Sequence, residues 1–585
     1  MIIDTIKNSL KAALEALDIF TGVEIQLEHP ADLSHGDYAC NVAMQLAGEI
    51  GTNPRELAKK IVAELEQNLP AEIASVEVAG PGFINFHLSP AFFAQSLQEI
   101  VTAGADFGRS DRLGGQKTIF EYTTQNLMKE FHVGHLMSHV IGNAIANIYD
   151  SQGAEVRRDS YQGDVGMHIA KVVWAIWKDK DTQEPFPDTA DTPQKKAKYL
   201  GMKYSFGDKM YAPKDEDLAG FSEGKEKNQE EIEEINKKIY KKSDSEINEF
   251  YEKACAWSLE SYQSLYDRLG VELDWQFFES ETAPVGKAIV EKGLDKGVFE
   301  ENEGAVIYRG DEEEGLHTRV FINSADIPTY EAKDLGLMQL KHDAYAYDEA
   351  VIFTANEQNE YFKVVLAAAR EVIPELAEKT THIGHGMLQL TDGKMSSRTG
   401  NVLSAAELLN TVKEKAEAKI SERKAGEVKS GTAELIAQAA IRYAILKQDA
   451  SRNVIFNVEQ SLSFEGDSGP YLQYTFARCR SLLAKAGDGG LEPSVELLEA
   501  GEATAVERLL YRFPAVAHQA ADKYAPHLVA TYLHELAKSF NSFYGSTQII
   551  SDAAAAGYRL AITEATAQVL ENGLKLLGIK APEKM

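Results

Sequence analysis

The 585-residue sequence has few cysteines and no long apolar run. Cys40, Cys255 and Cys479 lie far apart and form no CxxC pair, which argues against a disulfide framework or a structural zinc site and indicates a reducing cytoplasm. No apolar stretch approaches the roughly 20 residues that span a bilayer. The N-terminal stretch MIIDTIKNSLKAALEAL is amphipathic and partly acidic, unlike a signal peptide. We therefore expect a cytoplasmic protein with no membrane partner and no structural metal.

Positive charge is also scarce. The sequence has 60 lysines and arginines against 90 aspartates and glutamates, which gives a formal net charge of −30. That total argues against a general nucleic-acid binder, whose usual sign is a basic surface. A basic face can coexist with an acidic total, so any RNA is expected to bind at a localised patch. The hydrophobic fraction of 44% and the length predict a soluble globular protein of roughly three or four domains.

Residues 118–150 contain the first informative motif. A predicted buried strand ends near Tyr122, a polar loop follows, and apolar residues then recur at helical spacing. His132 and His135 flank Gly134 where the loop becomes the helix. A helix N-terminus offers unpaired N–H groups and the positive end of the helix dipole, and therefore favours phosphate. Capping or solvated histidines would give the same pattern, so HVGH needs a second motif to support it.

The second motif, Lys394-Met395-Ser396-Ser397-Arg398, lies much later in the chain and follows an apolar segment. Two cations and two hydroxyls in a glycine-flanked loop suit a triphosphate, because Lys394 and Arg398 can neutralise charge that develops during phosphoryl chemistry. For this loop alone, a solvated basic turn is the alternative. Together, HVGH after a first strand and KMSSR after a last strand resemble the paired ATP motifs of class I aminoacyl-tRNA synthetases.

Further segments resemble one family of that class, the arginyl-tRNA synthetases. They are EYTTQNLMKEFHVGHLMS, SADIPTYEAKDL, NEQNEYF, GPYLQYTFAR and LGIKAPEKM, and the pairing of HGDYACN with GPGFINF resembles the additional N-terminal domain of that family. The resemblance covers nearly the whole chain. It implies a multidomain α/β fold: a split Rossmann-type parallel sheet with an insertion, an α+β N-terminal domain and an all-α C-terminal anticodon-binding bundle.

The order of the predicted elements gives the domain boundaries. Residues 1–112 are predicted to form the N-terminal tRNA-binding domain, and residues 113–403 the Rossmann-type catalytic domain, in which strand and helix signals alternate. A charge-rich polar insertion is predicted at about residues 172–300. Residues 404–435 are predicted to form a helical connector and residues 436–585 the α-helical anticodon-binding domain.

A pocket for arginine needs carboxylates in fixed geometry around a planar guanidinium. Glu121, at the end of the first strand, and Asp334, at a helix start, can converge on one cation, and Tyr330 lies one helical turn from Asp334. Taken singly, each would more often be a surface or capping residue, so the assignment depends on the resemblance. It implies that arginine is bound by Glu121, Asn126, Tyr330, Asp334 and Gln358.

The resemblance also implies the ATP site and the catalytic groups. The implied ATP-binding residues are His132, Gly134, His135, His385, Met387, Lys394, Met395, Ser396, Ser397 and Arg398. The implied catalytic residues are His132, His135, Lys129 and Lys394. Many family members lack the first lysine of the later loop and rely on the lysine before HxGH, whereas this sequence has both Lys129 and Lys394. Mg²⁺ is expected together with ATP, and no other metal.

Several positions depart from the family pattern. Gln125 replaces a proline, Met137 an arginine and Val165 the tryptophan of a GDWG-type loop. Tyr361 replaces a histidine, and Glu331-Ala332-Lys333 replaces a typical Leu-Thr-Arg. None of these changes removes a residue assigned to arginine binding, but they cluster near the site and indicate a divergent branch.

The predicted activity is a two-step ligase reaction, which forms arginyl-adenylate from L-arginine and ATP and then esterifies the 3′-terminal adenosine of tRNA(Arg). Family members typically need bound tRNA even for the first step, and the protein is predicted to be a monomer. Three alternatives stay open: a class I synthetase for another amino acid such as lysine, a nucleotidylyltransferase, and an inactive RNA-binding paralogue. A cysteine-specific enzyme would need a cluster of zinc ligands that the sequence lacks.

Overall fold

The computed structural model describes residues 2–585 except 20–21, 31, 182–184, 212–224, 312, 392–402, 423–430, 497–502 and 551–552. The chain begins with an α+β unit made of α1 (Ile2–Ala16), β1 (Leu27–Glu28), β2 (Tyr38–Cys40), α2 (Val42–Ile50), α3 (Pro54–Leu65), β3 (Ile73–Ala79), β4 (Phe83–Leu88) and α4 (Pro90–Ala103). Its strands form an antiparallel sheet in the order β1-β2-β4-β3. Buried side chains of the sheet and of its helices, such as Phe86 and Leu57, share one hydrophobic core.

The middle of the chain contains the main sheet. Its elements are β5 (Lys117–Glu121), β6 (Gln125–Asn126), α5 (Val133–Ser151), β7 (Glu155–Gly163), α6 (Met167–Asp179), α7 (Pro193–Tyr211), α8 (Lys225–Lys241), α9 (Ser245–Leu269), β8 (Trp275–Phe278), α10 (Glu279–Asp295), β9 (Glu300–Asn302), β10 (Ala305–Tyr308), β11 (Arg319–Ile322), α11 (Tyr330–Ala344), β12 (Glu349–Ala355), α12 (Asn359–Val372), α13 (Pro374–Glu378) and β13 (Thr380–His385). The strand order is β13-β12-β5-β7, and β6 and β8 both pair with β7. Every pair in this sheet is parallel.

The strand order reverses next to β5. From β5 the chain passes through α5 to β7 on one side, whereas β12 and β13 are added on the other side. In sheets of this kind, ligands bind outside the carboxyl ends of the strands, near the reversal. The residues that end β5, β7, β12 and β13 therefore mark the edge where a site is expected: Glu121, Gly163, Ala355 and His385.

Strand β8 lies inside the predicted insertion range and pairs with β7 as a strand of the main sheet. Helix α6 is buried along most of its length, including Trp174, and packs against α7, α8 and α9. Helix α8 is rich in charge, yet it buries one face through Ile232, Ile235 and Ile239. The charged residues of this stretch dominate its composition and conceal the narrow apolar stripe of α8 in the sequence.

The rest of the chain is mainly helical. Its elements are β14 (Leu388–Leu390), α14 (Ala405–Glu422), α15 (Thr432–Leu446), β15 (Val454–Phe456), α16 (Val458–Ser461), α17 (Gly469–Asp488), α18 (Glu507–Leu510), α19 (Phe513–Asp522), α20 (Pro526–Ser546) and α21 (Ala553–Leu576). Strands β14 and β15 pair in parallel and connect this region to the end of the main sheet domain. In the described part of the chain, every helix is too short or too polar to cross a membrane.

The HGDYACN segment joins the N-terminal unit to the C-terminal helices. Asp37 is buried, accepts a 2.8 Å hydrogen bond from the backbone N–H of Leu88 and forms an ion pair with Arg508 of α18. Tyr38 packs against Tyr511, with ring centroids 6.3 Å apart. An ion pair with one partner fully buried is costly to break. The pair of Asp37 and Arg508 therefore fixes the N-terminal unit against the C-terminal helices.

Candidate active site

A cavity of about 690 Å³ lies at the carboxyl edge of the parallel sheet. This volume falls within the usual range for small-molecule sites. Its wall contains all five predicted arginine-binding residues and five of the predicted ATP-binding residues: Glu121, Asn126, Tyr330, Asp334, Gln358, His132, Gly134, His135, His385 and Met387. The structure therefore brings members of both predicted sets into one space, although each set contains residues more than 200 positions apart in the chain.

The two histidines of HVGH meet at the start of α5. His132 is the N-cap residue, and its Nδ1 accepts a 3.1 Å hydrogen bond from the N–H of Gly134. Because Nδ1 is an acceptor, the ring proton lies on Nε2, which is left to donate. The rings of His132 and His135 stack with centroids 3.7 Å apart. A Cβ at Gly134 would lie 2.9 Å from the His132 ring, so the capping histidine itself requires glycine here.

The histidine wall is electrically neutral. Burial lowers the pKa of His132 and of His135, and the positive charge of Lys129 lowers both further. His385 donates from Nδ1 to the Gly386 carbonyl at 2.7 Å, so its Nε2 accepts the 2.6 Å hydrogen bond from Ser138. A phosphate at this wall would meet neutral imidazole donors and a helix N-terminus, both of which favour an anion.

The opposite wall carries a carboxylate that pairs with no cation of the described residues. Asp334, in the first turns of α11, accepts a 2.6 Å hydrogen bond from the hydroxyl of Tyr361. Burial raises the pKa of Asp334 to about 8, and among the described residues no lysine or arginine forms an ion pair with it. A bound cation would favour the ionised form and supply the missing charge. Tyr361, one of the departures from the family pattern, thus supports a residue of the predicted arginine pocket.

Glu121 has partners within the chain. Its Oε2 forms a buried ion pair with Lys341 of α11, whose ammonium also lies 3.2 Å from Asp159. Its Oε1 accepts a 2.9 Å hydrogen bond from the hydroxyl of Thr124. Burial disfavours the charged form of Lys341, but the two carboxylates outweigh burial and raise its pKa. Glu121 was expected to hold the guanidinium directly, and sequence reasoning missed Lys341 because nothing near it in the chain marks its partners.

A second buried ion pair lies beside Asp334. Lys333 contacts Glu279 of α10 at 2.6 Å, and its ammonium lies 5.1 Å from the ring centroid of Tyr330. The preceding Glu331 pairs with Arg319 at 3.1 Å. The replacement of Leu-Thr-Arg by Glu331-Ala332-Lys333 therefore adds one negative charge and keeps one positive charge, and other elements neutralise both. Tyr330 was expected to face a guanidinium, and in this structure its half-exposed ring is faced by Lys333.

Lys129 is not among the residues of the cavity wall. The ammonium of Lys129 lies beside the cavity, 4.6 Å from the ring centroid of Tyr204. Residues 394–398 lie outside the described part of the chain. Their described neighbours reach the site from both sides: Met387 lines the cavity, and the carbonyl of Leu403 accepts a 3.2 Å hydrogen bond from the N–H of Val133.

The remaining departures are accommodated by packing. Met137 and Val165 are buried in the main hydrophobic core. Gln125 is buried, and its side-chain amide donates to the hydroxyl of Tyr266 on α9. Each substitution therefore has a local structural partner, and none of them places an unpaired charge in the site.

A parallel nucleotide-binding sheet with the HxGH histidines at its carboxyl edge is the catalytic architecture of class I aminoacyl-tRNA synthetases. A family model described as "tRNA synthetases class I (R), catalytic domain" matches residues 97–458, more than half of the chain. The "Arginyl tRNA synthetase N terminal domain" model matches residues 4–88, and the "DALR anticodon binding domain" model matches residues 472–585. The chain belongs to the arginyl-tRNA synthetase family.

Individual relatives agree with this membership. The arginine–tRNA ligase of Fusobacterium nucleatum is 31% identical over 563 residues, which cover 94% of this chain and 93% of the relative. That of Bacteroides fragilis is 30% identical over 558 residues, with 91% of each chain covered. The solved arginyl-tRNA synthetase of Thermus thermophilus covers 100% of both chains with a TM-score of 0.79 at 24% identity. That of Plasmodium falciparum covers 100% of this chain and 99% of its own with a TM-score of 0.77 at 18% identity.

The two solved structures are similar to this chain in fold. Together with the family models, the comparisons confirm the predicted family, the predicted fold class and the predicted arginine–tRNA ligase activity. Membership in a class I family implies ATP as a substrate, with arginine and tRNA as partners. It favours this function over a lysine-specific synthetase, a nucleotidylyltransferase and an inactive paralogue.

Proposed function

We propose that the two walls of the cavity bind the two substrates of arginine activation. The guanidinium of arginine binds at Asp334, and the phosphates of ATP bind at His132 and His135. The observation that supports this arrangement is that a single cavity joins the Asp334 carboxylate, which has no cation partner among the described residues, to a helix N-terminus lined by neutral histidines. Each wall is complementary in charge to one substrate.

In the first step, a carboxylate oxygen of arginine attacks the α-phosphorus of ATP, and the bond from that phosphorus to the bridging oxygen breaks. The products are arginyl-adenylate and pyrophosphate. In the second step, the 2′-hydroxyl of the terminal adenosine of tRNA(Arg) attacks the arginyl carbonyl carbon, AMP leaves, and the hydroxyl proton passes to solvent. The protein supplies no covalent nucleophile, so it acts by positioning the substrates and by stabilising charge on the phosphate oxygens.

The other predicted residues receive supporting roles in this proposal. Asn126 binds the amino or carboxyl end of arginine, and Tyr330 and Gln358 contact its side chain. Glu121 contributes to the acidic wall through its pair with Lys341 and is not a free ligand. Lys129 and the loop at residues 394–398 bind the phosphates of ATP, with Lys394 sharing the catalytic role with Lys129. The neutral histidine wall leaves the compensation of phosphate charge to these cations.

Mg²⁺ enters this proposal together with ATP. Within the described ranges, no group of three or more His, Cys, Asp or Glu side chains is arranged to hold a metal ion. Mg²⁺ commonly keeps several waters and binds through substrate phosphates, so the triphosphate itself is its expected ligand.

We further propose that the protein acts in the cytoplasm as a monomer. Equilibrium sedimentation of the purified chain is the direct test of the monomeric state.

Arginine-dependent ATP–pyrophosphate exchange in the presence of tRNA tests the proposed function. We expect His132→Ala and His135→Ala each to lower the exchange rate about 10²–10³-fold, because each removes a donor to developing phosphate charge. His518→Ala, a partly exposed histidine of α19, is the control and should leave the rate unchanged. Exchange at the wild-type rate in both HVGH variants would refute their role, and exchange driven better by another amino acid would refute the assignment of arginine.

A further inference from the structure

The loop that carries Lys129 is held by helices of the insertion. The hydroxyl of Tyr262 on α9 lies 2.8 Å from the carbonyl oxygens of both Asn126 and Lys129 and donates a hydrogen bond shared between them. One turn earlier on α9, the hydroxyl of Ser258 accepts a 2.9 Å hydrogen bond from the N–H of Met128. Met128 is fully buried with φ +62°, a conformation that residues other than glycine rarely adopt. The backbone of this loop is thus fixed in a strained shape by α9.

Helix α7 holds the side chains of the same loop. The ammonium of Lys129 lies over the ring of Tyr204, 4.6 Å from its centroid. Three residues earlier, Gly201 faces Glu130, where a Cβ would come within 3.1 Å of the Glu130 carboxylate. Residues three apart share one face of a helix, so α7 presents a single face to the loop. At Gly207, a Cβ would lie 2.3 Å from the Lys171 carbonyl, so glycine lets α7 pack closely against α6.

The ammonium of Lys129 lies near enough to His132 and His135 for its charge to act on both rings. Its charge contributes to the lowered pKa of both His132 and His135, after burial as the main cause. The ring of Tyr204 therefore holds the lysine at a position from which its charge acts on the HVGH histidines. A lysine held in this way has already lost part of its rotamer freedom before ATP arrives, which reduces the entropic penalty of binding the phosphates.

We propose that Tyr204 of the insertion is a positioning residue for Lys129 in ATP binding, a role that rests on the proposed contact between Lys129 and the phosphates. A cation–π contact with one ring is weaker than the attraction of an ammonium to a triphosphate, so the ring orders the lysine without competing with the substrate. The insertion then contributes to catalysis in a defined way: α9 fixes the backbone of the loop, and α7 fixes the side chain of Lys129.

The test compares variants of Tyr204 by ATP–pyrophosphate exchange with saturating arginine and tRNA. Tyr204→Leu removes the aromatic face and should raise the KM for ATP about threefold to thirtyfold with a smaller change in kcat, the range expected for loss of one cation–π contact. Tyr204→Phe keeps the face and should restore the wild-type KM. Tyr211→Leu is the matched control: the same helix carries a second contact of this kind, with Lys171 at 4.5 Å from the Tyr211 ring, and its loss should leave the KM for ATP unchanged.

A double variant shows whether Tyr204 acts through Lys129. Tyr204→Leu added to Lys129→Ala should have no further effect on the KM for ATP, whereas independent roles would give additive losses. Wild-type behaviour of Tyr204→Leu, additive losses, or failure of Tyr204→Phe to restore the KM would each overturn the proposal. If Lys129→Ala itself retains the wild-type KM for ATP, the proposed role of Lys129 fails together with this inference. Loss in Lys129→Ala without loss in Tyr204→Leu refutes this inference alone.

Discussion

The two walls of the cavity are built in different ways. The histidine wall is local, since His132, Gly134 and His135 belong to one helix start, and it is neutral because burial removes the charge of its imidazoles. The acidic wall is assembled across several elements by pairs of distant residues: Glu121 with Lys341, Glu279 with Lys333, and Asp334 with Tyr361. A wall made of a helix end tolerates change around it, whereas a wall of balanced buried charges depends on every partner.

The largest effect is expected where that balance is broken. Lys341→Met leaves the buried carboxylates of Glu121 and Asp159 without their shared cation, and removing one partner of a buried ion pair costs about 3–5 kcal/mol. We expect a matching decrease in the free energy of unfolding, measured by urea denaturation. Lys363→Met breaks the exposed pair with Glu360 and should lower the free energy of unfolding far less, because solvent screens that pair. Equal midpoints for Lys341→Met and wild type would show that the acidic wall does not need this cation.

The difference between a local wall and a wall of distant pairs also explains which parts of the site could be predicted from the sequence. HVGH is a contiguous pattern whose geometry follows from helix capping, so the positions of His132 and His135 could be derived from the sequence alone. The parallel sheet could also be predicted, because its strands carry apolar runs between helical segments. The partners of the acidic wall could not, since Lys341 lies 220 residues from Glu121 and only the fold brings them together. The buried face of α8 could not be predicted either, because three isoleucines in a strongly charged helix give a weak periodic signal.

The second largest effect is expected at Asp334, whose carboxylate has no cation partner among the described residues. Asp334→Asn keeps the shape of the side chain but removes the charge that would pair with a guanidinium, so we expect kcat/KM for arginine to fall about 10²–10³-fold. The KM for ATP should change little because the histidine wall is untouched. Asp343→Asn, an exposed residue of the same helix, is the control. An unaltered preference for arginine over ornithine and citrulline would contradict the assignment of this pocket.

The pKa of Asp334 predicts a pH dependence confined to the acidic wall. Burial raises this pKa to about 8, and the charges of Glu121, Glu279 and Glu331 act in the same direction. A guanidinium binds the ionised carboxylate, so the KM for arginine should decrease about tenfold as the pH rises from about 7 to about 9. Since the folded state holds this proton more tightly than the unfolded chain, the free energy of unfolding should fall between about pH 4 and pH 8.

Saturating arginine should reduce that loss of stability, because it binds the ionised folded state. The measurement is the KM for arginine across this pH range, together with thermal unfolding with and without arginine. In Asp334→Asn, the pH dependence of the KM should disappear. A flat profile in the wild-type enzyme would show that Asp334 is already ionised at neutral pH, and a cation outside the described residues would then have to neutralise it.

The smallest effect isolates one hydrogen bond of the acidic wall. Tyr361→Phe removes the hydroxyl that stabilises ionised Asp334 but keeps the ring on which the guanidinium of Arg319 lies, 5.1 Å from its centroid. Loss of one hydrogen bond should raise the KM for arginine about threefold to tenfold at neutral pH and move the pH midpoint upward, with kcat little changed. Tyr361→His introduces the histidine of the family pattern and again places a donor at this position. Its KM for arginine should therefore lie between those of the wild type and Tyr361→Phe. If Tyr361→Phe leaves both the KM and the midpoint unchanged, the carboxylate is held by packing alone, and the contrast between the two walls is weaker than this structure indicates.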